Sequence, residues 1–407
     1  MTTHTEALAT ITRELYMPYP KSGQSYVINQ QYVGHQGRQR MQVRTLQVHD
    51  DVYQDAAVRY SDDNASTWSQ FQPDAERDIQ MSSGHARARF LFSGCYDPAA
   101  DRLIRTCLMR THKGDPRVDG LSAYWDHSLC QTSADNGKTW DYPQLIAYEE
   151  GAEYSHQDFG NAEYLEHNQS YAGYNVIALR DGGVATACSV ATEITNAEGE
   201  SESVRGVMLF LGQWNEGEQK YIWTNSNPVT VTRSVSDRGL LEPWVAQLRN
   251  GDLFIDMRGN ATKANPGRNF RAVSTDGGHT VSEARELHFD DGTRFYAPSS
   301  LSMMHRHANG RLYWFGNISE QPTAGNSPRY PLVLAEVDET QPALIRQSLT
   351  VIDDHDPETQ TAAVQFSNFS LLEDRDTHAF EILMTVWGEF ADVYQANVYR
   401  YVVTLHQ

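Results

Sequence analysis

The sequence is short of basic residues. Against 53 Asp and Glu it sets only 33 Lys and Arg, a formal charge of −20. Nucleic acid is therefore not an expected partner, because phosphate binding needs a basic field. An anionic ligand would need a local cluster of arginines working against the overall field. Apolar runs long enough to span a membrane, about 18 residues, do not occur. Met1-Thr-Thr-His-Thr-Glu6 has neither the basic start nor the apolar stretch of a secretory signal. The expectation is a cytoplasmic protein away from the membrane, or a secreted one if a signal has been removed. Cysteine is scarce, with Cys95, Cys107, Cys130 and Cys188 placed singly in strand-like runs. That pattern reads as reduced core thiols. No CxxC or HxxxH spacing occurs, so neither a metal site nor a cofactor is expected.

What the chain has instead is a repeated turn. Ser274-Thr-Asp-Gly-Gly-His-Thr280, Ser61-Asp-Asp-Asn-Ala-Ser-Thr-Trp68 and Ser133-Ala-Asp-Asn-Gly-Lys-Thr-Trp140 share the pattern Ser-x-Asp-x-Gly/Ala-x-Thr. Asn or Asp beside Gly supplies the positive φ angles of a tight hairpin. The Asp carboxylate can accept N–H bonds within the turn, and the Trp packs beneath it. Each copy lies between β-rich runs, and a β-turn signature recurring at this interval points to radially repeated four-stranded units. The expected fold is an all-β propeller with six blades, or seven should the N-terminal segment supply strands. Residues 1–20 read as a lead-in, weakly helical over Thr5–Leu15, and 21–407 as a single propeller domain. The polar stretch Ala191–Ser203 reads as a solvated loop, and the long Tyr148–Tyr171 connection as a candidate functional loop.

The turns resemble Asp boxes, the bacterial neuraminidase repeat of the sialidase superfamily. Glu242-Pro-Trp-Val-Ala-Gln-Leu-Arg-Asn-Gly-Asp-Leu-Phe-Ile-Asp-Met-Arg258 is similar to the sialidase segment in which an Arg follows a Glu by sixteen residues. The resemblance implies that Glu242 polarises a catalytic Tyr and that Arg258 and Arg329 bind a substrate carboxylate. Glu389 falls where sialidases carry a Glu that steadies an Arg. Two elements of the sialidase pattern are missing. Blade one opens on Tyr26-Val-Ile-Asn without the Arg-Ile-Pro arginine, and Phe366-Ser-Asn stands where the nucleophilic Tyr should open the last blade. The chain is therefore not expected to be an ordinary sialidase.

In a propeller, the starts of the innermost strands and the ends of the second strands converge on one mouth. That rule collects His85, Arg87, Arg110, His112, Tyr174, Glu242, Arg258, Tyr296, Arg329, Asn368 and Glu389. The expected function is cleavage of a glycosidic bond next to an acidic sugar in an oligosaccharide or polysaccharide, by hydrolysis. Candidate acid–base groups are Glu242, Tyr174, His112, His127 and His156. A second reading follows from related polysaccharide lyases: His127, His112 and Tyr174 would carry out β-elimination at a uronate. A third is a carbohydrate-binding propeller without catalysis. Structural alternatives stand beside these, with Glu242–Arg258 as a buried ion pair, His127 as a core histidine and Tyr296 as a packing aromatic. Oligomeric state is not legible.

Overall fold

A computed structural model describes residues 1–6, 8–120, 123–171, 173–196 and 198–406. Its strands form six antiparallel sheets arranged as the blades of a propeller. Blade one consists of Ser25–Tyr32, Arg40–His49, Val52–Ser61 and Gln72–Pro73. Blade two is built on His85–Asp97, Arg102–Lys113 and Tyr124–Ser133, with short strands at each edge. In blade three, Ser170–Tyr171 and Val176–Ala178 both pair with Val184–Thr195, which continues into Ser201–Asn215 and Lys220–Asn225. Blade four begins with Leu240–Gln247 and Leu253–Gly259, blade five with Met303–Arg306 and Leu312–Asn317, and blade six with Ser370–Glu373 and Phe380–Thr385.

The Asp boxes set the blade phase as expected. In each, the Ser hydroxyl donates to the Asp carboxylate, which also accepts the Thr amide and hydroxyl. The three Ser–Asp contacts are 2.9, 2.8 and 2.9 Å at Asp63, Asp135 and Asp276. Every box follows the third strand of its blade, so the boxes lie on the face opposite the mouth. Trp68 and Trp140 are covered by arginines, with Arg59 4.8 Å and Arg105 3.8 Å from the ring centroids.

The helical expectation over Thr5–Leu15 is corrected. Ala9–Met17 is a strand paired along its length with Val398–Leu405, so the chain's start supplies the outer part of blade six. Alternation explains the choice. Ala9 and Ile11 are fully buried while Thr10 and Thr12, which alternate with them, are not, a period of two that suits a β-branched run beside a waiting sheet edge. Ala7, within the same stretch, lies outside the described residues. The Ala191–Ser203 stretch is likewise a two-stranded extension, pairing Thr195 with Ser201, and its Ala197 lies outside the described residues. The Tyr148–Tyr171 connection is packed: Tyr154, Phe159, Tyr164 and Leu165 are buried against blade two.

Candidate functional site

A cavity of roughly 530 Å³ occupies the propeller's centre and opens where the connections between blades and the turns after each second strand meet. A β-bulge sets its principal acidic group. The ladder between Leu240–Gln247 and Leu253–Gly259 runs in register to Leu241↔Arg258 and resumes at Trp244↔Asp256. Pro243 has no N–H to give to the ladder, which favours the break at this point. Glu242 takes φ 47°, a conformation that costs a non-glycine residue about 1–3 kcal/mol and is concentrated at functional sites. Its Oε1 accepts from Arg258 Nη1 at 2.8 Å, while Asn260 Oδ1 accepts from Arg258 Nε at 3.0 Å. Glu242 Oε2 is buried with no partner.

Arg329, just before the third strand of blade five, reaches the same cavity. It donates to Gln365 Oε1 at 2.9 Å and to the Ser299 carbonyl at 2.6 Å, and its Nε has no partner. Burial and the neighbouring Arg258 push its pKa down. Of these two buried guanidiniums only Arg258 is ion-paired among the described residues; Arg329 feels Glu242, Asp50 and Asp51 at longer range, and its direct contacts leave room for an anion. Arg110 differs. Asp126 binds it in a two-pronged pair at 2.8 and 3.0 Å, Asp51 lies 3.5 Å away, and Tyr124 covers it. Its charge is already met.

Two tyrosines face Glu242. The Tyr171 and Tyr174 hydroxyls are 3.1 Å apart; burial and the charge of Glu242 raise the Tyr171 pKa, and burial, Tyr171 and Glu242 raise that of Tyr174. The turn between Arg40–His49 and Val52–Ser61 brings Asp50 and Asp51 to the same cavity. Asp50 is held above its ordinary pKa by burial and by the charge of Asp51. These acids, with Tyr171, are what sequence reasoning missed. A signal existed: Asp50-Asp51 occupies a turn after a second strand, and such turns open on the mouth.

Of the expected residues, Glu242, Tyr174, Arg258, Arg329, Arg110 and Asn368 line the cavity. The others lie elsewhere. His127 is fully buried in blade two, its Nε2 shared by the Tyr164 and His167 carbonyls at 2.8 and 3.0 Å, its ring stacked on Tyr164. His112 is buried above Arg110, and burial plus that charge push its pKa down to about 4. His156 and Arg87 bond each other at 2.7 Å and both contact the Tyr154 hydroxyl, outside the cavity lining. His85 turns its Nδ1 to the Ser83 carbonyl at 3.2 Å. Tyr296 lies under the Arg268 guanidinium, 4.2 Å away. Glu389 accepts from Tyr399 and, at 3.1 Å, from Asn397, and bonds no arginine. The cause is strand alternation: a residue at the right height still points to either face, and Arg87 and His127 point into the packing of blade two. Phe366 is fully buried, and Tyr394 is the last-blade phenol that lines the cavity. Among the described residues no group of three or more His, Cys, Asp or Glu side chains forms a metal site.

The sequence profile described as the BNR repeat-like domain matches residues 111–381, well over half of the chain. The chain belongs to the BNR repeat-like domain family. Among solved structures, this BNR propeller is similar to a protein of unknown function from Dyadobacter fermentans, at 11% identity and a TM-score of 0.62, covering 97% of this chain and 99% of that one. It is also similar to the NanB sialidase of Streptococcus pneumoniae, at 12% identity and a TM-score of 0.59, covering 97% and 71%. A third is an α-L-arabinanase of Penicillium chrysogenum complexed with arabinobiose, at 12% identity and a TM-score of 0.50, covering 100% and 99%. At such identities the likeness is one of fold. No curated protein matches the sequence.

Proposed function

We propose that this BNR propeller is a glycoside hydrolase that cleaves next to a sugar bearing a carboxylate. The observation that carries the reading is Arg258 and Arg329 in one cavity, Arg258 paired with Glu242 and Arg329 paired with no carboxylate, beside two phenols and the Asp50 carboxyl. A substrate carboxylate would take the free donors of the two guanidiniums. Asp50, whose pKa is raised by partial burial and by the charge of Asp51, is the donor suited to the leaving oxygen. Tyr171 or Tyr174 is the nucleophile suited to the anomeric carbon. Both phenols are neutral, so attack needs a base, and Glu242 Oε2 is the acceptor without a partner. Arg258 would hold Glu242 in place through Oε1 during that transfer.

The sialidase and arabinanase likeness supports a carbohydrate ligand. The elimination set of His127, His112 and Tyr174 has no such support, because His127 is locked between two carbonyls away from Tyr174's cavity. The test is turnover on a panel of aryl glycosides of acidic and neutral sugars. Glu242→Gln should lower kcat/KM on the acidic substrate by about a hundred- to ten-thousand-fold, the usual worth of a positioned base. Turnover confined to neutral arabinosides, or undiminished in Glu242→Gln, would overturn the reading.

A further inference from the structure

The central cavity does not end at the mouth. It extends into the gap between blades one and two, where Met41, Val43 and Leu91 line it together with Arg77 and Arg89. Among the described residues these two blades share one small apolar cluster, Val52, Ile79, Ala86 and Ala88, which leaves the gap open beside it. Arg89 belongs to the strand His85–Asp97, and its side chain is 4% exposed. It pairs at 3.0 Å with Glu76, whose own side chain is 81% exposed and so screened by water. Arg77, in the connection between the blades, pairs with Asp74 and keeps a 3.8 Å contact with the Met41 sulfur. Behind them Arg105 has no carboxylate. It is held by Gln131 at 2.9 Å and lies on the Trp140 ring.

Three buried guanidiniums thus stand within electrostatic reach of one another with two carboxylates, one of them in solvent. The Nε atoms of Arg77 and Arg89 are both buried without a hydrogen-bond partner. Unmet donors on desolvated cations are costly, and an oxyanion supplies both the charge and the acceptors. Burial and the mutual repulsion also push Arg77 down to about 10 and Arg105 to about 9. The opposing groups are few: Asp74, Glu76, the Tyr60 hydroxyl and, beside Arg105, the Cys107 thiol.

We infer that the gap between blades one and two is a second anion subsite, which receives a carboxylate, sulfate or phosphate group of a ligand extending from the Arg258–Arg329 end. The identity of that ligand as a glycan rests on the function proposed above; the anion subsite does not. The first experiment titrates sodium sulfate calorimetrically into the full-length protein. The inference expects a site that Arg89→Gln weakens by at least about tenfold, the worth of one charge-assisted hydrogen bond, and that Arg258→Gln leaves in place. Sulfate binding unaltered by Arg89→Gln, or none at all, overturns it. A second measurement does not depend on a variant folding: crystals of the unaltered protein soaked in selenate should show an anomalous peak between Arg77 and Arg89, and an empty gap would again overturn it. Digalacturonate, a galactose sulfate and a galactose phosphate, each compared with galacturonate, then identify which oxyanion gains affinity through Arg89. Sulfate bound at Arg89 with no sugar bound anywhere would leave the subsite standing and remove the glycan reading. Sugar turnover without anion binding at Arg89 would do the reverse.

Discussion

Arg258 and Glu242 illustrate how one ion pair ties stability to the proposed chemistry. Both are buried, and each is the other's counter-charge. Arg258→Ala leaves Glu242 charged and buried, which should cost about 3–5 kcal/mol of stability as well as activity. Denaturant melts of Arg258→Ala against the double variant Arg258→Ala/Glu242→Gln measure this: the double variant should recover most of the loss. Asp50 gives the pH signature. Its folded pKa is raised, so the stability it contributes is present below its unfolded pKa and is lost as pH rises through the folded one. Asp50→Asn should therefore be more stable than the parent at neutral pH, and should lose the alkaline limb of the activity profile. A thermal-melt series across pH, run with rate profiles of both proteins, tests the two effects together. At this scale the sequence was half legible. Glu242, Arg258, Arg329, Arg110, Tyr174 and Asn368 were found from blade phase. His85, Arg87, His112, Tyr296 and Glu389 were placed at the mouth as well but do not line the cavity, because height along a strand can be counted, whereas the face a side chain takes depends on the register of its neighbours.

At the scale of the element, two irregularities matter. The bulge at Glu242-Pro243 turns a strand residue into the cavity, and Pro243 is its visible sign. The strand Ala9–Met17 closes the last blade, although its own sequence also suits a short helix. Helix propensity differences are fractions of a kcal/mol per residue, and pairing with Val398–Leu405 while burying Ala9 and Ile11 outweighs them. Ile11→Ala should cost about 2–5 kcal/mol, as for any fully buried isoleucine. Chemical denaturation gives the value, and a cost under about 1 kcal/mol would mean that this strand is not part of the cooperative unit.

Across the whole molecule, a net charge of −20 should make the compact state repel itself. Raising ionic strength from about 0.01 to about 1 M shortens the screening length from about 30 to about 3 Å. The melting temperature should rise with sodium chloride over that range, even as competing anions weaken ligand binding at the arginines. A flat or falling melting curve would mean that local ion pairs, not the overall field, dominate.

The sequence alone determined the architecture, because hairpin chemistry is local: Ser, Asp and Thr within seven residues bond one another wherever they occur. A propeller of six or seven blades and the phase of those blades follow from that, and the resemblance to the sialidase segment singled out Glu242 and Arg258. The tertiary structure decided which side chains meet across blades, since those contacts join positions far apart in the chain. Tyr171 beside Glu242, Asp50 across from Tyr394, and Arg77 with Arg89 and Arg105 exist only once the ring has closed.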